Sequence, residues 1–342
     1  AIGYYAMRDV TGGSSRDYNV AIGYDAMRNA NPHMSIAIGY NAGNRLKDGA
    51  VGAVHIGTEA GKSASGSSNT FIGYTAGSGG TTSAPYSSGT SNTAVGYQAL
   101  KNFTTGYSNV AVGVNTLDAI NTGAYNIGIG AAAGGAITSG NYNIAMGYAA
   151  FDASTTAGYT IAIGALALSA YTHGENSFNI AIGGDGPAPV KTSGKFNTYI
   201  GGYKVAAADL TGEYNTFLGA YTNERGTDTD HTTLIGYSAG RYSTGSYNTF
   251  VGSNAGLGGT NSAPYASGEN NVAVGAYALD AFTSGYNNTA VGYSAGSAIT
   301  TGQRNIAIGY EALVSNTTSH GNIAIGYRTL YNAVNASSYQ IA

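Results

Sequence analysis

The stretch Asn288-Thr289-Ala290-Val291-Gly292-Tyr293-Ser294-Ala295-Gly296 is one copy of a unit that returns along the whole chain. Its pattern is Asn, a β-branched residue, a small residue, Ile or Val, Gly, often Tyr, then x-Ala. Nineteen copies are legible, pivoting on glycines from Gly3 through Gly96, Gly113, Gly292 and Gly309 to Gly326. The commonest spacing is 17 residues, with extremes of 16 and 23. A globular enzyme has no reason to keep such a beat. Stacked turns do, because each turn must lie against the last. The expected fold is all-β: a parallel β-solenoid of about 19 turns with about 17 residues per turn. At the usual spacing of about 4.8 Å per strand, it would stack into a rod roughly 90 Å long.

The periodicity overrides the two-domain expectation for 342 residues and predicts a single repeat array over 1–342. The chain opens inside a motif, at Ala1-Ile2-Gly3, and closes inside one, at Gln340-Ile341-Ala342. It therefore reads as cut from a longer array at both ends. Spacing is least regular over residues 1–72. There Arg8-Asp9, Arg16-Asp17, Arg28 and Lys47-Asp48 fall between motifs, where loops belong. It loosens again over 183–236, around Pro187-Ala188-Pro189 and the polar run 223–231. A longer period lies on top. Residues 79–86 match residues 258–265 at seven of eight positions, and both segments occupy the 23-residue turns. A ten-turn block, 73–251, is thus repeated from 252 at an offset of 179 residues.

Within a turn the pattern predicts a strand, a turn, a second short strand and another turn. Side chains alternate along a strand, so Thr289, Val291 and Tyr293 share one face and Asn288, Ala290 and Gly292 the other. The aliphatic column through Val95, Val112, Ile129, Val291 and Ile308 is expected to fill the interior. Each of those side chains would contribute roughly 1.5–3 kcal/mol on burial. The column Asn92, Asn109, Asn126, Asn143, Asn288 and Asn305 is expected to form an amide ladder, each amide bonding the turn on either side. The small residues, Ala290 with Gly96, Gly113, Gly292 and Gly309, would leave a flat face for close approach of another chain, most simply in a trimer. Alternatively, they answer cramped space inside a thin roll. The Tyr column, Tyr97, Tyr148, Tyr293 and Tyr310, is expected at the roll's edge, with hydroxyls free to reach water or a sugar.

Little else points to chemistry. Hydrophobic residues make up 43% of the chain and recur at fixed positions, which excludes disorder. Net charge is −3 with no like-charge block, so no nucleic-acid partner is expected. No run of about 18 apolar residues exists to enter a membrane. Cysteine is absent. The five histidines are scattered, and none has metal-ligand spacing. Asp228-Thr229-Asp230-His231 is the one dense polar cluster, read as a solvated loop rather than a cation site. Asp9, Asp17 and Asp25 fall beside Arg8, Arg16 and Arg28, as surface pairs would. Glycosylation triplets start at Asn102, Asn287, Asn316 and Asn335. No catalytic, cofactor or metal site is expected.

The unit Asn305-Ile306-Ala307-Ile308-Gly309 resembles the head repeat of trimeric autotransporter adhesins. The fuller unit, residues 283–293, is similar to repeats of long phage tail-fibre and bacterial surface-fibre proteins. The resemblance covers nearly the whole chain, which departs from the adhesin heads in its longer turn and in the Tyr after Gly. It implies a left-handed parallel β-roll wound as a homotrimer or filament, placed extracellularly on a cell surface or virion. The implied role is structural and adhesive, a rigid spacer touching a host or surface glycan. The alternatives are a carbohydrate-active β-helix enzyme, which needs two facing carboxylates, and an ice- or surface-binding solenoid, which needs a regular Thr array.

Overall fold

The computed structural model describes residues 1–9, 18–30, 32–46, 50–80, 86–174, 176–184, 186–259, 265–332 and 338–342. Arg16, Asp17, Lys47, Asp48, Asn335 and the centres of both 23-residue turns (81–85 and 260–264) lie outside them. The chain divides into two compact units, Ala1–Ser177 and Phe178–Ala342. Among the described residues each is an all-β parallel solenoid without helix.

The first unit carries β1 (Val20–Ile22), β2 (Ile36–Ile38), β3 (Val54–Ile56), β4 (Thr70–Ile72), β5 (Thr93–Val95), β6 (Val110–Val112), β7 (Ile127–Ile129), β8 (Ile144–Met146) and β9 (Ile161–Ile163). The second carries β10 (Ile180–Ile182), β11 (Thr198–Ile200), β12 (Thr216–Leu218), β13 (Thr233–Ile235), β14 (Thr249–Val251), β15 (Val272–Val274), β16 (Thr289–Val291), β17 (Ile306–Ile308) and β18 (Ile323–Ile325). Eighteen motif copies therefore form a three-residue strand. The first copy contributes only Ile2, in an isolated bridge to Ile22. Within each unit successive strands pair in parallel with equivalent residues side by side. Val95 lies beside Val112, and Val112 beside Ile129; Val274 lies beside Val291, and Val291 beside Ile308.

The expected second strand is not a regular feature of the turns. Bridges outside the strands are isolated, such as Ala64 to Ser87 and Ser243 to Ala266. Those two bridges are themselves 179 residues apart, and each unit repeats the same aromatic packing beside them. The Phe71 and Phe103 rings are 5.5 Å apart, and those of Phe250 and Phe282 5.4 Å.

The rest of each turn is built from bends with a fixed code. The pivotal glycine has φ near +130° in every copy except Gly183 and Gly201, for instance +136° at Gly96 and +132° at Gly292. A Cβ on Gly96 would lie 2.3 Å from the Gly113 carbonyl oxygen, so no larger residue fits between stacked turns. The second and fourth residues after it, such as Gln98 and Leu100, are left-handed at φ 55° and 52°. That conformation costs a non-glycine residue roughly 1–2 kcal/mol. Its return is that successive N–H groups point along the stacking direction. Gln98 N–H donates back to Tyr74 O and Leu100 N–H forward to Thr116 O, both at 3.0 Å.

The interior differs from the sequence expectation. In every strand the central residue is buried and the flanking pair is half-buried or exposed. Ala94, Ala111, Ala145, Ala290 and Ala307 line the lumen, whereas Val112, Ile129 and Ile308 are 37% exposed. The aliphatic column therefore faces outward, and the small residues reflect a narrow interior rather than a face open to another chain. The reason is the period of two. Asn, Ala and Gly share one strand face, and Asn is committed to the inside, so the β-branched pair must turn out.

Asn109 N–H donates to Asn92 Oδ1 at 2.9 Å, and Asn109 Nδ2 donates to Gly123 O at 2.8 Å. Asn126 and Asn143 repeat this one and two turns on. Asn288 and Asn305 do the same in the second unit. Longer side chains from the bends complete the core: Leu100, Leu117 and Leu279, with Phe103, Ile120, Ile137, Phe282 and Ile299 six residues before the ladder Asn. Volumes compensate turn by turn. Where the strand centre is Phe71 or Phe250, the bend position that elsewhere holds Leu is Gly77 or Gly256. A Cβ on either glycine would meet the ring at 2.3–2.4 Å.

His55 is an unpaired polar group among the strand centres. It occupies the strand-centre register, fully buried, stacked on Phe71 at 5.0 Å, and neither ring nitrogen has a hydrogen-bond partner. Burial pushes its pKa down to about 3, so the folded state holds this proton less tightly than the unfolded chain. Stability should fall as pH drops below about 6.5, by on the order of 3 kcal/mol near pH 4. His55→Phe should raise the thermal midpoint and flatten that acid limb, as read by calorimetry from pH 7 to 4. Asn126→Ala strands the Asn143 N–H and the Gly140 carbonyl, and should cost about 2–4 kcal/mol in denaturant unfolding.

Candidate functional site

The outward residues of the strands form the most regular surface feature among the described residues. In all eighteen strands they are Val, Ile, Leu, Met or Thr, and none is charged. Each strand is bracketed by two further exposed positions. The one after the pivotal glycine holds Tyr74, Tyr97, Tyr148, Tyr293, Tyr310 and Tyr327; the one before the ladder Asn holds Tyr125, Tyr142, Tyr159, Phe178, Phe196, Tyr214 and Tyr247. One turn thus reads Tyr142, Ile144, Met146, Tyr148 across its outer side, with Asn143 and Ala145 turned inward. Tyr97, Tyr148, Tyr293 and Tyr310 lie exposed as their spacing implies, and the second aromatic column stands beside the expected one. Its signal was present: an aromatic residue stands directly before the ladder position in six consecutive turns, from Tyr125 to Tyr214, and again at Tyr247, with His231 between them.

Both columns stack. Tyr125, Tyr142 and Tyr159 are spaced 4.9 and 5.0 Å. In the second unit Phe178, Phe196, Tyr214, His231 and Tyr247 follow at 4.8 to 5.3 Å with planes within 10°. Tyr293 stacks on Tyr310 at 5.2 Å and Tyr310 on Tyr327 at 5.5 Å. A stacked ring has both faces covered and offers only its edge and hydroxyl. Sugar rings, which pack on aromatic faces, can therefore use only the places where a ladder is interrupted.

One interruption forms a groove. Tyr277 stands at 72° to Tyr293 instead of stacking on it. With Asp280, Ala281, Ser294 and Ser297 the two rings line an open cavity of about 430 Å³. Burial pushes the Asp280 carboxyl up to about 6. Nothing in the repeat pattern announced this groove, because Tyr277 lies one position beyond the regular Tyr column.

The other polar candidates disperse. Asp228 accepts from the Thr211 hydroxyl at 2.7 Å, Asp230 from the Glu213 N–H at 2.7 Å, and His231 belongs to the aromatic stack. Each is tied to a neighbouring turn, and among the described residues no three His, Cys, Asp or Glu side chains could hold a metal. Arg28 bonds Asp9 at 2.8 Å and Asp25 at 3.4 Å, as surface pairs. Asp118 and Asp152, two turns apart, approach one another over Gly135, and burial raises both. No helix is long and apolar enough to cross a membrane among the described residues. No protein-family model matches the chain, and neither do any curated proteins or solved structures.

Asp280 gives this groove a measurable signature. The folded state holds its proton more tightly than the unfolded chain, so Asp280 erodes stability as pH rises from about 4 to about 6 and by a constant amount above. Asp280→Asn should raise the thermal midpoint at neutral pH and leave it unchanged near pH 4.

Proposed function

We propose that this chain is a structural and adhesive module of an extracellular fibre, of the kind found in bacterial surface adhesins or phage tail fibres. Copies associate through the outward strand face, three of them in the simplest closed arrangement, as a left-handed β-roll. The observation that carries this reading is the uncharged face of Val, Ile, Leu, Met and Thr, continuous over nine strands in each unit, with an apolar residue from every strand. Soluble monomers rarely expose a contiguous apolar patch beyond a few hundred Å². Nine strands at about 4.8 Å, each roughly 20 Å wide with its flanking rings, amount to on the order of 900 Å² per unit. That matches the ~800 Å² per partner of a stable interface.

Self-association of identical copies is favoured over a different partner by the pattern itself. Every turn presents the same row, so equal turns of equal chains meet like with like, and no charge pattern selects a foreign surface. The resemblance of the unit Asn305-Ile306-Ala307-Ile308-Gly309 to the head repeat of trimeric adhesins favours three copies. The edges and hydroxyls of the tyrosines then rim the assembly, and the Tyr277–Tyr293 groove is the place for contact with a host or surface glycan.

Light scattering of the intact protein tests the reading against the 34.4 kDa chain. Three chains per particle are expected, and one chain per particle overturns it. Ile129→Lys combined with Ile308→Lys places charge on both exposed faces. These variants should dissociate the particle to single chains while the far-ultraviolet β signal stays unchanged.

A further inference from the structure

Two charged side chains stand inside the second unit at a register that five other turns fill with Phe or Ile and that Ser154 and Asn316 fill with small polar groups. Lys191 and Asp209 each lie six residues before a ladder Asn, Asn197 and Asn215, where other turns have Phe103, Ile120, Ile137, Phe282 or Ile299. They are one turn apart, and both side chains are fully buried. Lys191 Nζ lies 3.5 Å from Asp209 Oδ2 and donates to Gly212 O at 2.7 Å. The Tyr199 hydroxyl donates to the same Oδ2 at 2.8 Å, and Gly212 N–H donates to Oδ1 at 3.0 Å. Gly194 closes over the amine, since a Cβ there would lie 2.9 Å from Nζ.

A buried ion pair is an expensive way to fill a site that Ile or Phe fills elsewhere. The surrounding groups instead match the needs of acyl transfer. An amine nucleophile sits beside a carboxyl carbon. A backbone N–H polarises one carboxyl oxygen, and a phenol donates a proton to the other. Burial also pushes the Lys191 ammonium below the ordinary lysine range, against the pull of Asp209, which favours the neutral amine that attack requires.

We propose that Lys191 and Asp209 join in an intramolecular isopeptide bond that covalently links adjacent turns of the solenoid. Proton transfer from the ammonium to Oδ2 within the pair gives amine and carboxylic acid. The Nζ lone pair attacks Cγ, and negative charge develops on Oδ1 against Gly212 N–H. The Cγ–Oδ2 bond then breaks as Oδ2 leaves as water. The Tyr199 hydroxyl supplies the second proton and recovers one from the nitrogen. One amide and one water form, with no oxidant and no co-reactant. The amide N–H keeps Gly212 O as its acceptor and the amide oxygen keeps Gly212 N–H, so two buried charges become a satisfied neutral group.

Intact mass under denaturing conditions tests the bond. The expected result is a shortfall of one water from the sequence mass. Proteolysis should give a branched peptide joining Lys191 to Asp209, and Lys191→Arg should restore the full mass. The full mass in the unaltered chain overturns the proposal, and so does a one-water loss that maps to a cyclised aspartate elsewhere. Tyr199→Phe separates chemistry from folding, because Phe217 occupies the same register in the next strand. It should leave the fold intact and lower the linked fraction several-fold soon after synthesis. An undiminished fraction removes Tyr199 from the mechanism.

Discussion

The structure depends on one requirement: the polar backbone of each turn must find its partners on the turns beside it. A turn of about seventeen residues cannot satisfy itself, because only three residues are strand and the remainder is bend. The molecule meets the requirement in three ways. Strands pair in unshifted register, left-handed residues such as Gln98 and Leu100 send N–H groups in opposite directions along the stack, and the asparagine ladder covers what remains inside. Each device works only if the same residue type returns at the same position, which is why the sequence repeats.

The second level of organisation follows from the asparagine. Once its amide is committed to the interior, alternation places the next small residue inside and the β-branched residues outside. The lumen is then too narrow for two walls of aliphatic side chains. Alanine lines the strand wall, and leucine, isoleucine or phenylalanine from the bends fills the space. Where Phe71 or Phe250 intrudes, a glycine opposite makes room. The outer face inherits the hydrophobicity that an ordinary fold would bury, and the functional reading grows from that displacement.

The aromatic columns refine the reading. Stacking at about 5 Å follows directly from turn spacing and consumes ring faces, so a tyrosine-rich surface is less of a sugar platform than its composition implies. Ring faces are left open only where the order is broken, as at Tyr277. The charged residues of the core are a break of the same kind. Lys191 and Asp209 place charge on adjacent turns at a register that five other turns fill with Phe or Ile, and their positions were available in the sequence once that register was known.

The sequence by itself determined the repeat, the strand positions, the all-β class and the two-residue alternation, because periodicity and β-branching act locally. It also held the asparagine column and the ten-turn duplication. It could not decide which strand face is inside. A column of Val and Ile looks like a core until the bends are seen to supply larger apolar groups from the opposite wall and the amides to need shelter. Nor could it reveal the left-handed bends, since residues such as Leu100 and Phe151 carry no local preference for positive φ. Those choices belong to the tertiary structure, because they are settled by hydrogen bonds and volumes shared between turns rather than by any residue alone.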